Sequence, residues 1–219
     1  MHSTIINLIK IEKNIQSSLS DLKINNQTKI IAVSKTFGVD NILPLINHGH
    51  TDFGENKVQE AVDKWTELKK KNQNVKLHMI GKLQTNKVKF AVKLFDYIHS
   101  VDNEKLARKI FEEDKKINKK TKIFVQVNIG GEDQKSGVSK NEIKKLVSYC
   151  REIKLDVIGL MCIPPIGKDS TFYFKEMTKL NKDFGFSELS MGMSSDYVKA
   201  SEHSATYVRI GSSIFGQRV

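Results

Sequence analysis

The sequence predicts an α/β protein: a single-domain (β/α)8 TIM barrel with an extra helix at its N-terminus. Three observations predict it. Eight short apolar runs recur along the 219 residues. Each run is nearly continuous in apolar character, as parallel strands covered on both faces are, rather than alternating. Amphipathic stretches of helical period separate them, and eight such units fit a chain of this length. A doubly wound open sheet is the alternative arrangement of the same units.

The elements follow in order. Apolar residues recur at helical spacing over residues 3–22, which predicts the extra helix. "KIIAVSK" (29–35) is the first strand, and "VDNILPLINHG" is its helix. "TDFGEN" (51–56) precedes the helical pattern "KVQEAVDKWTELKKK". "KLHMIGK" (76–82) leads to "TNKVKFAVKLF", and "DYIHSV" (96–101) to "DNEKLARKIFEEDKKIN". The β-branched "KIFVQVN" (122–128) precedes "SKNEIKKLVSYCREIK". "DVIGLMC" (156–162) precedes "STFYFKEMTKLNKDF". "ELSMGM" (188–193) precedes "SSDYVKASEHS", and "YVRIGSSIFG" (207–216) is the eighth strand. No Pro/Gly-rich linker, composition shift or repeat divides the chain, so one domain is expected over residues 1–219.

Composition narrows the function classes. At 39% hydrophobic residues the chain is no disordered protein. No apolar run approaches a membrane span. The start lacks a basic leader followed by a continuous apolar core, so a cytoplasmic protein without membrane association is expected. Cys150 and Cys162, both in apolar surroundings, form neither a disulfide framework nor a zinc pattern and read as buried thiols. The net charge of +11 comes almost wholly from lysines interleaved with acids; arginine occurs only at positions 108, 151, 209 and 218. Scarce arginine and the lack of an aromatic stacking run argue against nucleic acid as a partner.

In such a barrel the chemistry sits at the carboxyl ends of the strands. Those ends carry Lys35, Asn56, Arg209 and two small-residue turns, "SMGMSSDY" (190–197) and "RIGSS" (209–213). A lysine ending an apolar strand can simply mark the surface; at a barrel mouth it faces the site. Small turns after strands seven and eight recur as phosphate sites in these barrels. Taken alone, "SMGMSSDY" reads rather as an ordinary Ser cap before Asp196; it is the two turns together that point to a phosphate. No GxxxxGK[ST] or GxGxxG loop occurs, and no nucleophile elbow. His78 and His99 lie inside strands without a further ligand at metal spacing, and read as core. A lysine opposite a phosphate cradle suits a phosphorylated aldehyde held as a Schiff base, and pyridoxal 5′-phosphate (PLP) is the obvious candidate.

The runs "AVSKTF", "DFGENKVQEAVDKW", "LHMIGKLQTNK", "SVDNEKLARKI", "VQVNIGGEDQKSGV", "GLMCIPP", "LSMGMSSDY" and "VRIGSSIFG" closely resemble the pyridoxal phosphate homeostasis proteins. That family is related to the barrel domain of alanine racemase, a fold type III PLP-binding barrel. The resemblance covers essentially the whole chain, and "GEN", "HMIGKLQTNK" and "SMGMS" are its most specific parts.

The resemblance implies that Lys35 carries PLP as a Schiff base and that Ser194, Gly211 and Ser212 hold its phosphate. It implies that Arg209 faces the pyridine nitrogen, that Asn56 lies near the ring, and that His78 and "GKLQTNK" belong to the surrounding shell. It further implies a role in intracellular vitamin B6 balance without established turnover, with PLP-dependent apo-enzymes as candidate recipients. A racemase or lyase of low activity is the alternative. Arginine can only donate to the ring nitrogen, which leaves the pyridine a poor electron sink. Alanine racemase takes a second base, a tyrosine, from a second domain; this chain is expected to lack that domain, and a monomer is expected over a dimer. None of Tyr97, Tyr149, Tyr173, Tyr197 or Tyr207 matches a motif for that role. One departure stands out: "HSATYVRIG" has Ser204 where relatives usually have glycine.

Overall fold

The structure, a computed structural model, describes residues 1–217. Eight parallel strands close into a barrel in the order β1 to β8, each paired with its sequence neighbour and β1 with β8. The strands are β1 (Lys29–Val33), β2 (Asp52–Glu55), β3 (Lys76–Met79), β4 (Tyr97–Val101), β5 (Lys122–Val127), β6 (Val157–Cys162), β7 (Glu188–Ser190) and β8 (Tyr207–Ile210). The outer helices are α2 (Val39–Asn47), α3 (Val58–Lys71), α4 (Val88–Leu94), α5 (Glu104–Lys116), α6 (Ile143–Glu152), α7 (Ser170–Asp183) and α8 (Tyr197–Glu202). Arg218 and Val219, the end of the expected domain, lie outside the described residues.

The extra helix α1 (Ser3–Asp21) has a structural reason. Among the described residues β8 is followed by a four-residue helix, α9 (Ser212–Phe215). Helix α1 packs against α8, α9 and α2. It buries the stripe Leu8, Ile11, Ile15 and Leu19, at the spacing of one helical face.

Strands are shorter than the apolar runs suggested. β1 stops at Val33, so Lys35 lies in the turn beyond it. β7 spans only three residues because Gly192 turns the chain at φ +89°; a Cβ there would stand 2.5 Å from that of Ala200. β8 ends at Ile210, where α9 replaces the expected continuation to residue 216.

Alternation along each strand separates two cores. Outward residues such as Ala32, Phe53, Leu77, Ile98 and Val208 pack under the helices. Inward residues Ile31, Val33, Tyr97, Phe124, Met161 and Tyr207 fill the barrel. This period of two continues past the strand ends. It aims Lys35 with Ile31 and Val33, Asn56 with Gly54, and Arg209 with Tyr207 toward the barrel axis. Ser34 and Glu55 have the opposite parity and face helix α3.

Both cysteines are free and buried, and burial pushes each thiol up to about 12. Arg108 donates to the Tyr149 hydroxyl and Arg151 to the Phe184 carbonyl, so both are occupied on the outer surface. Ser204 stands in the left-handed region at φ +66°, the conformation for which glycine is best suited. Among the described residues no helix is long and apolar enough to cross a membrane, and no His/Cys/Asp/Glu cluster could hold a metal.

Candidate functional site

A cavity of about 750 Å³ opens at the carboxyl ends of the strands. Six residues singled out in the sequence line it: Lys35, Asn56, Ser194, Arg209, Gly211 and Ser212. They come from loops after β1, β2 and β7, from β8 itself and from the turn that follows it. Chain folding thus collects an amine, an amide, a guanidinium and hydroxyls from positions up to 177 residues apart (35 to 212).

Lys35 sits on a constrained turn. Thr36 follows it at φ +69°, an uncommon conformation for a β-branched residue, of the kind that clusters at functional sites. Helix α3 grips both neighbours of the lysine. Lys64 Nζ donates to the Ser34 carbonyl at 2.9 Å, and the Thr36 amide donates to Glu60 Oε1 at 2.5 Å. Lys64 also bridges Glu60 and Glu55, each at 3.0 Å. Glu55, fully buried, accepts on Oε1 from the Ser34 hydroxyl at 2.7 Å and the Trp65 indole at 2.9 Å. Its Oε2 is buried with no hydrogen-bond partner among the described residues. Burial works to raise the Glu60 carboxyl, but the Thr36 amide and Lys64 overcome it and hold it below its ordinary range.

Arg209 is 4% exposed and anchored twice: Nη1 donates to Ser190 Oγ at 2.6 Å and Nη2 to the Cys162 carbonyl at 2.8 Å. Burial lowers its pKa from the ordinary arginine value. Asn56 is held by close backbone approach. A Cβ on Gly81 would lie 2.3 Å from the Asn56 carbonyl oxygen, so only glycine fits there. Asn56 Oδ1 is buried and has no donor among the described residues. The small turns adjoin, with the Ser213 amide 3.4 Å from Ser194 Oγ.

The expected place of His78 is the shell around the cofactor. His78 does not line the cavity; it points inward from the middle of β3, stacked on Tyr97 with ring centroids 4.3 Å apart. Of the "GKLQTNK" segment only Gly81 reaches the cavity wall. Sequence reasoning passed over Phe37, Ile163 and Met193, which supply apolar wall. Phe37 lies outside any strand pattern, and its stacking on Phe215, at 5.0 Å, joins residues distant in sequence.

Residues 6–219 match the family model of the alanine racemase N-terminal domain. The pyridoxal phosphate homeostasis protein of Pasteurella multocida is 35% identical over 97% of this chain and 96% of its own length. That of Aquifex aeolicus is 38% identical over 88% of each chain. Among solved structures, PipY of Synechococcus elongatus PCC7942, with PLP bound, superposes with a TM-score of 0.82 at 31% identity, covering 92% of this chain and all of that one. An alanine racemase of Clostridium difficile 630 shares the fold, with a TM-score of 0.74 at 16% identity, and this chain covers 57% of it. The chain belongs to the alanine racemase N-terminal domain family and, within it, to the pyridoxal phosphate homeostasis proteins.

Proposed function

We propose that this protein binds pyridoxal 5′-phosphate in the strand-end cavity, carries it as a Schiff base on Lys35, and serves cytoplasmic vitamin B6 balance by holding the cofactor for apo-enzymes that need it. One observation carries the reading: an amine, a buried guanidinium and two small hydroxyl-bearing turns converge on one cavity. The residues suit the group. The Lys35 amine matches an aldehyde, Ser194 and Ser212 offer hydroxyls to a phosphate beside Gly211, and Arg209 offers N–H donors to a ring nitrogen. Asn56 Oδ1, a buried acceptor without a donor, gains a reason if a polar ring lies against it. When bound, PLP would supply an electrophilic aldehyde and a ring able to withdraw electrons.

The chain's own groups favour holding over turnover. A guanidinium can only donate, so Arg209 leaves the ring nitrogen unprotonated and weakens electron withdrawal. Cys162, raised to about 12 by burial, stays a thiol and offers no nucleophile. Tyr97 and Tyr207 open β4 and β8, pack within the barrel interior and do not line the cavity.

The test is direct. Purified protein is examined for visible absorbance, reduced with borohydride, and its modified peptide mapped by mass. A yellow protein with the adduct on Lys35, lost in Lys35→Ala, is expected. A protein that stays colourless and unmodified after PLP is added sinks the reading. Incubating the loaded protein with a panel of amino acids should give no racemisation or elimination; turnover lost in Lys35→Ala would establish the enzyme reading instead.

A further inference from the structure

Five buried polar side chains, one from each of five strands, form a line through the barrel interior that meets the candidate cofactor site only at Arg209. Asp52 Oδ1 lies 3.0 Å from His78 Nε2. His78 Nδ1 lies 2.9 Å from His99 Nε2. His99 Nδ1 lies 2.9 Å from Ser190 Oγ, which lies 2.6 Å from Arg209 Nη1. The two histidines and Ser190 are completely buried, in an interior otherwise filled with aromatic and aliphatic side chains.

The ends of this line dictate its direction. A guanidinium only donates, and an ionised carboxylate only accepts. Burial works to raise the Asp52 carboxyl, but the hydrogen bonds from His78 and Thr51 overcome it and hold it at about 2, so it is ionised. Ser190 Oγ therefore accepts from Arg209 and donates to His99 Nδ1. His99 Nε2–H donates to His78 Nδ1, and His78 Nε2–H donates to Asp52. Both rings are then Nε2–H tautomers, the neutral form that burial favours. A proton added to His99 would make Nδ1 a donor to Ser190 Oγ and reverse that link, so the chain runs in this one direction only while both rings are neutral. Burial lowers the pKa of both rings, the direction this arrangement needs.

We propose that Ser190, His99, His78 and Asp52 are positioning residues: a one-way hydrogen-bond chain that orients the Arg209 guanidinium on the cavity floor. A neutral relay suits the task. Ionic partners beside Arg209 would compete for its donors, whereas a hydroxyl backed by a histidine takes one donor and leaves the others for a ligand. Asp52 places the balancing charge four hydrogen bonds away, at the amino end of β2. What Arg209 faces rests on the PLP reading above; the chain itself does not.

Two measurements test it. In the protein without added cofactor, 15N NMR of the imidazoles is expected to show both His78 and His99 as neutral Nε2–H tautomers. An Nδ1–H tautomer or a charged ring at either position at neutral pH overturns the chain, whether or not PLP binds. In the loaded protein, Ser190→Ala is expected to weaken PLP retention about tenfold, the scale of one lost charge-assisted hydrogen bond, and to shift the visible absorbance maximum. Ser190→Thr, which keeps the hydroxyl, is expected to restore the wild-type maximum. Unchanged retention and spectrum in Ser190→Ala would refute the positioning role. Failure of the wild type to take up PLP would sink only the cofactor reading, because the tautomer result stands apart from it.

Discussion

Two polar networks back onto the same cavity, and they are built on opposite principles. Behind Lys35, outside the barrel wall, charges lie in contact: Lys64 bridges Glu55 and Glu60, and all three brace the lysine turn. Behind Arg209, inside the wall, the charges stand at the two ends of a line with neutral groups between. The difference follows from surroundings. Glu60 and its helix edge reach water, which moderates the cost of ion pairing there. The barrel interior is buried and largely aromatic, and a charged imidazole there would carry a large desolvation penalty. Side-chain parity decides which network a residue joins, so adjacent residues such as Ser34 and Lys35 serve different sides of one wall.

The largest test strikes the charged network. Lys64→Met leaves the Glu55 carboxylate buried without its cation and is expected to destabilise the fold by about 3 kcal/mol in denaturant unfolding. The double variant Glu55→Leu/Lys64→Met should recover much of that loss, because an apolar pair replaces an ion pair. If the single variant costs less than the double, the bracing role is wrong.

Acid separates the two networks next. His78 and His99 have folded pKa values lowered from 6.5, so the unfolded chain binds protons that the folded chain refuses. Their contribution to stability is therefore complete above the unfolded value and is lost as pH falls below about 6.5 toward the folded values. Asp52 adds its loss only lower, between its ordinary 3.8 and about 2, and Glu60 only below its ordinary 4.5. Unfolding free energy should thus decline from pH 6.5 downward before either carboxylate titrates. His99→Phe, which keeps a ring to stack on Phe124, should flatten that first decline by about one proton. An unchanged slope in the variant would assign the decline to other groups.

The smallest effect concerns the lysine turn. Thr36→Gly removes a β-branched residue from φ +69° and keeps the amide that Glu60 accepts from. A gain of about 0.5–1 kcal/mol is expected, with slower PLP capture if the constrained turn helps aim Lys35. Ser204→Gly, at φ +66° on the far side of β8, should give a similar gain without touching capture. Equal capture rates in the two variants would show that the Thr36 conformation is incidental.

Much of the fold was readable from residues alone. Continuous apolar runs such as "KIFVQV" and amphipathic "VQEAVDKWTELKKK" report burial on two faces and on one, and burial is what periodicity measures. The cavity residues Lys35, Asn56 and Arg209 were legible because each sits at a strand end, where the barrel collects its chemistry. Strand lengths were less legible: Gly192 turns the chain after β7 at φ +89°, and helix α9 takes over after β8, neither of which an apolar pattern encodes.

By its own order, the sequence determined the barrel, its register of inward and outward residues and the chemical types at its mouth, since these depend on local pattern and parity. Only the tertiary structure decided that His78 turns away from the cavity toward Asp52 and His99, and that Glu55 and Lys64 brace the lysine turn. Those partners lie 9 to 26 residues apart in sequence, on different elements. Hydrogen bonds between them form only when closure of the barrel sets neighbouring strands side by side, so no local pattern could announce them.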